Sequence, residues 1–201
     1  VCASTSLWSA LQRVAPMSGN RTPTPHAIAE AAGSPYPASV GLTDAGMATA
    51  LRRLGYIADY FTPSENRSWF RALVVASLES HLAVVLLLSK KVRTGAGEVE
   101  VGHAISVTGF GEPIAVGDVP CSLDNVDPIR MKADGLKVIY AHDDNLGPHA
   151  HYELVDSDER DKDGNPKLMI MRGDSRGARP PSWPIDYWRV EAALVPKPEK
   201  L

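Results

Sequence analysis

Cysteine is scarce in this chain: Cys2 and Cys121 are the two it has, and they stand far apart. That excludes the dense disulfide framework of small secreted domains. A single Cys2–Cys121 bridge stays open, and a reducing, cytoplasmic setting is the simpler expectation. Long apolar runs are missing too. The longest, Leu82 to Leu88, has the length of a strand and falls far short of the ~20 residues that a helical membrane span needs. Basic charge is not in excess: the formal net charge is −3, so the electrostatic footprint of a nucleic-acid binder is absent. An initial methionine is lacking as well. Residue 1 is Val, and Val195-Pro196-Lys197-Pro198-Glu199-Lys200-Leu201 reads as a departing tail. The expectation is an excised or renumbered domain over residues 1–195, with 196–201 the start of a linker to other domains of a longer chain.

What is present describes one globular domain. The 201 residues are 44% hydrophobic and 22% charged, ordinary values for a chain that buries a single core. Leu7, Trp8, Leu11 and Val14 recur at helical spacing over residues 3–15, before Pro16 and Gly19. Thr24-Pro25 opens a second helix, with Thr24 as N-cap and Pro25 at its first position. Gly41-Leu42-Thr43-Asp44 leads into a third, where Met47, Leu51 and Leu54 share a face and Gly55 ends it. A short extended stretch spans Tyr56 to Phe61, and a fourth helix Trp69 to Leu78 carries Trp69, Leu73 and Val74 on its stripe. Strands follow: Ala83 to Leu88, the His103 segment after a turn at Arg93–Gly97, Leu136 to His142, Tyr152 to Val155, Leu168 to Met171 and Trp188 to Val195. Helices first and a mostly antiparallel sheet after them give the expected fold class, α+β.

Two segments carry chemistry. Cys2 heads the first helix, where unpaired backbone N–H groups and the positive end of the helix dipole favour a thiolate. Gly102-His103-Ala104 places an imidazole at the start of an apolar strand, and an imidazole within hydrogen-bond reach can take the thiol proton. Val138-Ile139-Tyr140-Ala141-His142-Asp143 is a third apolar segment, and it ends on a carboxylate.

These pieces, with Thr24-Pro25-His26-Ala27-Ile28-Ala29 and Ala50-Leu51-Arg52-Arg53-Leu54-Gly55-Tyr56 between them, resemble the papain-like cysteine peptidase superfamily. The closest branch is the bacterial double-glycine leader peptidases. The likeness covers roughly residues 1 to 155 and rests on the order of motifs that are individually weak. It implies a papain-like fold with N-terminal helices packed on a C-terminal sheet. It also implies a nucleophile at Cys2, a general base at His103 and an orienting carboxylate at Asp143, with Asp144 and Asn145 as competitors for the last role. Two features depart from the family pattern. Cys2-Ala3-Ser4 stands where Cys-Gly-Pro is common, and only Val1 precedes the cysteine where an oxyanion-binding Gln is expected. Loss of one such donor costs ~10²–10³ in rate.

Plain structural readings stand beside these. Cys2 also reads as an inert buried thiol, His103 as a core histidine, and Asp143-Asp144-Asn145-Leu146-Gly147-Pro148 as a turn. His142, His149 and His151 cluster with Asp144, and alternation at His149-Ala150-His151 puts both rings on one strand face. The zinc spacing is nevertheless wrong, and no metal is expected. Asp156 to Gly164 fails the calcium-loop grammar, which needs Glu where Ile170 stands. Residues 161–165 read as a hairpin tip. Arg172, Arg176 and Arg179 read as a surface loop, and Trp8, Trp183 and Trp188 as packing residues. The resulting expectation is cofactor-free, thiol-dependent acyl transfer, most simply hydrolysis of a peptide or amide. Transfer to an amine or thiol acceptor, and a non-catalytic module that binds a peptide or regulates an attached domain, are the alternatives.

Overall fold

The computed structural model describes residues 2–34, 41–63, 67–111, 132–160, 166–172 and 187–199. Helix α1 (Cys2–Val14) is followed by α2 (Pro25–Ala31), α3 (Asp44–Arg53), β1 (Tyr56–Phe61) and α4 (Arg67–Glu79). The chain then runs through β2 (Val84–Thr94), β3 (Gly97–Phe110), β4 (Val138–Asp143), β5 (Gly147–Arg160), β6 (Pro166–Arg172) and β7 (Tyr187–Pro198). Local signals account for the helix starts. The Thr24 hydroxyl accepts from Ala27 N–H at 3.2 Å, and Thr43 accepts from Gly46 N–H at 3.1 Å. Both are N-caps that satisfy orphan first-turn donors. Gly55 leaves α3 with φ +80°, a conformation in which a side chain would be strained.

All seven strands form one antiparallel sheet in the order β1-β7-β2-β3-β4-β5-β6, and β6 pairs again with β7. That last pairing, Met169↔Arg189 through Met171↔Tyr187, closes six strands into a barrel and leaves β1 outside it on β7. The papain-like α+β expectation is therefore corrected: the molecule is mostly sheet, a closed six-stranded antiparallel barrel with four α-helices among the described residues. The reason is non-local. Register shifts stand at Leu87/Leu88, Val107/Gly109, Ala141/Asp143 and Asp156/Arg160, three of them in strands of 11 to 14 residues. Such bulges bend and over-twist a sheet until distant strands meet. Hydrophobic alternation reports which face of a strand is buried, not which strand lies beside it.

Two hydrophobic layers result. Leu7, Leu11, Ile28, Met47 and Leu51 of the first three helices pack on the outward residues Val85, Leu87, Ala104, Ala192 and Leu194. Val84, Leu86, Leu88, Ile105, Val107, Ile139, Leu168, Ile170 and Val190 fill the barrel with Phe70, Val74 and Leu78 of α4. Val84 to Leu88 is continuously apolar because both of its faces are covered. The α4 stripe differs from expectation by one position. Phe70 is buried at 1% exposure, whereas Trp69 is 41% exposed. β7 also runs three residues past Val195, where a linker was expected, pairing Pro198 with Tyr56.

Ile170 is fully buried in the barrel next to the closing strand pair. Ile170→Ala should therefore cost about 2–5 kcal/mol of stability in urea unfolding. Val99→Ala, at an exposed position, should change it by less than about 0.5 kcal/mol.

Candidate active site

α1 docks on β3 through a stripe containing Ala3, Ser6, Leu7, Ala10, Leu11 and Val14. The small residues on that stripe let the helix approach the strand closely. The Ser6 hydroxyl, itself buried, donates to the Ala104 carbonyl at 2.7 Å. This bond fixes the first turns of the helix against the strand that carries His103. Cys2, the first helical residue, is only partly exposed and lies within hydrogen-bond reach of the His103 ring and of the Ala104 backbone N–H. Cys2, Ala3, Gly102, His103 and Ala104 share a groove of about 230 Å³ with Gly41, Leu42, Asp44, Met47 and Leu87.

Beyond the imidazole stands Asp143. Alternation along β4 buries Ile139, Ala141 and Asp143 and turns His142 the other way. Asp143 Oδ1 lies 3.1 Å from His103 Nε2, and Asp144 Oδ1 lies 4.0 Å away. Asp144 is thus the more distant of the two. Asn145 contributes its backbone N–H, which donates to Asp143 Oδ1 at 2.8 Å. The Tyr152 hydroxyl donates to Asp143 Oδ2. The turn and the carboxylate site are the same piece of chain: Leu146 N–H bonds to the Asp143 carbonyl, and Gly147 supplies the left-handed residue. Nε2 lies on the Asp143 side of the ring, and this contact raises the imidazole and lowers the carboxyl. With Nε2 on the carboxylate side, Nδ1 is the nitrogen left for the thiol.

The charges support one another. Contact with His103 lowers the Cys2 thiol, outweighing the burial that raises it; the Ala104 N–H assists and Asp144 opposes. Burial alone would lower the imidazole, but Asp143 and Cys2 overcome it and hold His103 at about 9. Burial would raise Asp143, but His103, the Tyr152 hydroxyl and the Asn145 N–H hold it at about 2. These shifts displace the Cys2–His103 pair toward thiolate and imidazolium, beside a carboxylate held at about 2.

Sequence reasoning missed several parts of the site. Trp188, read as packing, lies with its ring centroid 5.3 Å from that of His103, and Lys90 Nζ sits 4.1 Å above the indole. No local rule links Tyr152 to Asp143 across a hairpin that carries a bulge. Leu42 and Asp44 reach the groove only through the placement of α3. Trp8 is partly buried against the helical core. His149 has φ +59°, which breaks the alternation expected to put it on one face with His151; the latter ring stacks on Tyr140 instead. Among the described residues the group suited to a metal ion is His103, Asp143 and Asp144, whose donor atoms lie within 4.8 Å of one another. It does not include His142, His149 or His151. A cation there would compete with the imidazolium proton for the same carboxylates. Cys121, Trp183, Arg176, Arg179 and the 161–165 tip lie outside the described residues, and no described helix is long and apolar enough to cross a membrane. No protein-family model and no curated protein matches the chain.

Two pH signatures follow. Alkylation of Cys2 by iodoacetamide near pH 7 should be faster than that of an ordinary thiol with a value of 9.0; a change near pH 9 should mark loss of the His103 proton. Tyr152→Phe removes a donor from the carboxylate, so it should raise Asp143; because that carboxylate stays ionised with one donor fewer sharing its charge, the alkaline change should move to higher pH. Stability should follow the same groups. The His103 contribution is complete below 6.5 and lost as pH rises through about 9. That of Asp143 is complete above 3.8 and lost as pH falls through about 2. Denaturant midpoints across this range, compared with those of His103→Ala, test both limbs.

Proposed function

We propose that the chain is a cysteine-nucleophile acyl-transfer enzyme, most simply a hydrolase of peptide or amide bonds. The observation that carries this reading is the contact of Cys2 with His103, itself backed by buried Asp143. Residues remote in sequence converge in a groove with values shifted toward the ion pair that thiol catalysis uses. In this scheme the Cys2 thiolate attacks the substrate carbonyl. Protonated His103 then gives its proton to the leaving amine, and Asp143 holds the ring and its charge. Water, activated by the now neutral His103, attacks the acyl-enzyme and releases the acid while the thiolate–imidazolium pair re-forms. The backbone N–H of Cys2, at the start of α1, is the candidate oxyanion donor. The ordered motifs shared with double-glycine leader peptidases support the chemistry by analogy alone.

The test uses an activated thiol-directed acyl probe near neutral pH. Wild type should form the Cys2 acyl-enzyme, seen as a mass increment, and Cys2→Ala should not. His103→Ala should lower the rate by at least about a hundredfold, in keeping with general acid–base contributions of 10²–10⁴, while the circular dichroism spectrum is unchanged. Equal labelling of wild type and His103→Ala would sink the proposal. Products formed with and without added amine decide between hydrolysis and transfer.

A further inference from the structure

We infer that the substrate of this site is an extended peptide that adds as a strand to the free edge of β3. This rests on the proposed nucleophile and names what the groove would take. β3 pairs with β2 along its whole length, from Val84↔Val107 to Thr94↔Gly97, whereas β4 joins it only from Ser106 onward. From Gly97 to Ile105 its second edge has no strand partner among the described residues. The two-residue turn Gly95-Ala96 requires Thr94 and Gly97 to be a hydrogen-bonded pair. Counting back without a register shift, Val99, Val101 and His103 spend their backbone groups on β2, while Glu98, Glu100, Gly102 and Ala104 direct theirs outward. An independent contact agrees: the Ala104 carbonyl accepts from Ser6, and its N–H faces Cys2.

The last outward position is thus occupied by the nucleophile's own helix. The next two, Gly102 and Glu100, are open and continue from the same groove in steps of about 7 Å. A chain whose carbonyl reaches Cys2 can run on along this edge and exchange backbone hydrogen bonds with them. The side chains select the partner. Val99 and Val101 are 48% and 38% exposed and share a face, which favours apolar residues at alternate positions of the added strand. Glu98 and Glu100 are engaged by Lys91 and Arg189 on their own molecule. The opposite edge of the hairpin carries Lys90, Lys91 and Arg93, the kind of charge that blunts an edge against pairing. Beyond Ser89 the hairpin has no third strand among the described residues, and a two-stranded ribbon is stabilised by gaining one.

The experiment compares alkylation of Cys2 by methyl vinyl sulfone with that by a tetrapeptide vinyl sulfone carrying valine at alternate positions, and by the same peptide with its central amide replaced by an ester. Wild type should react with the peptide at least tenfold faster than with the small probe, and the ester analogue should lose most of that gain. Glu100→Pro removes an outward N–H without touching the ladder to β2 and should lose the gain as well. Glu100→Ala, which keeps the N–H, should retain it. Absence of a peptide gain in wild type, or an ester analogue as fast as the amide, overturns the edge assignment while leaving the nucleophile intact. The wild-type amide–ester comparison decides even where Glu100→Pro does not fold. If Cys2 reacts with methyl vinyl sulfone no faster than in His103→Ala, the nucleophile reading fails and the inference falls with it.

Discussion

One contact organises the site: the first turns of α1 sit on the stretch of β3 that β4 leaves uncovered. Ala104 directs both backbone groups outward there, taking the Ser6 hydroxyl on its carbonyl and presenting its N–H to Cys2. A sheet edge is normally a hazard, because unpaired donors and acceptors invite another chain. Here a helix start fills part of it, and each partner supplies what the other lacks. The helix brings a thiol that needs donors, and the strand brings a donor that needs an acceptor.

The barrel matters because it makes that edge rigid. β2 and β3 form its most extensive pairing, and apolar side chains cover both faces of β2. Ile105 and Val107, next along β3 from His103, are buried in the barrel. The imidazole therefore sits on a strand with little freedom, flanked by Trp188 and aimed at a carboxylate that is itself held by Tyr152 and Asn145. Such layered support fixes geometry before any ligand arrives. It also sets the charge state: Asp143 stays ionised despite burial because three donors face it, and His103 is held protonated by the acids on either side.

The closure of the sheet was the least legible feature. The positions of helices were readable because caps, glycines and 3.6-residue periodicity are local signals, as Thr24, Thr43 and Gly55 illustrate. The strands were readable as apolar segments but were expected to be shorter, since β5 and β7 extend into polar and proline-containing sequence that is held by neighbours. The meeting of β6 with β7 depends on twist accumulated over four register shifts, and no window of sequence contains that information. Motif order suggested a different architecture, because the same local elements can be wound into more than one sheet.

Sequence alone placed a thiol at a helix start, an imidazole on an apolar strand and a carboxylate at a strand end, because residue type and periodicity are properties of neighbours in the chain. Tertiary structure decided the rest. It set Asp143 nearer to His103 than Asp144, brought Trp188 and Tyr152 to the site, left one edge of β3 without a strand partner among the described residues and closed the barrel. These outcomes depend on which strands pair and in what register, and pairing is settled by burial summed over the whole molecule rather than by any local segment.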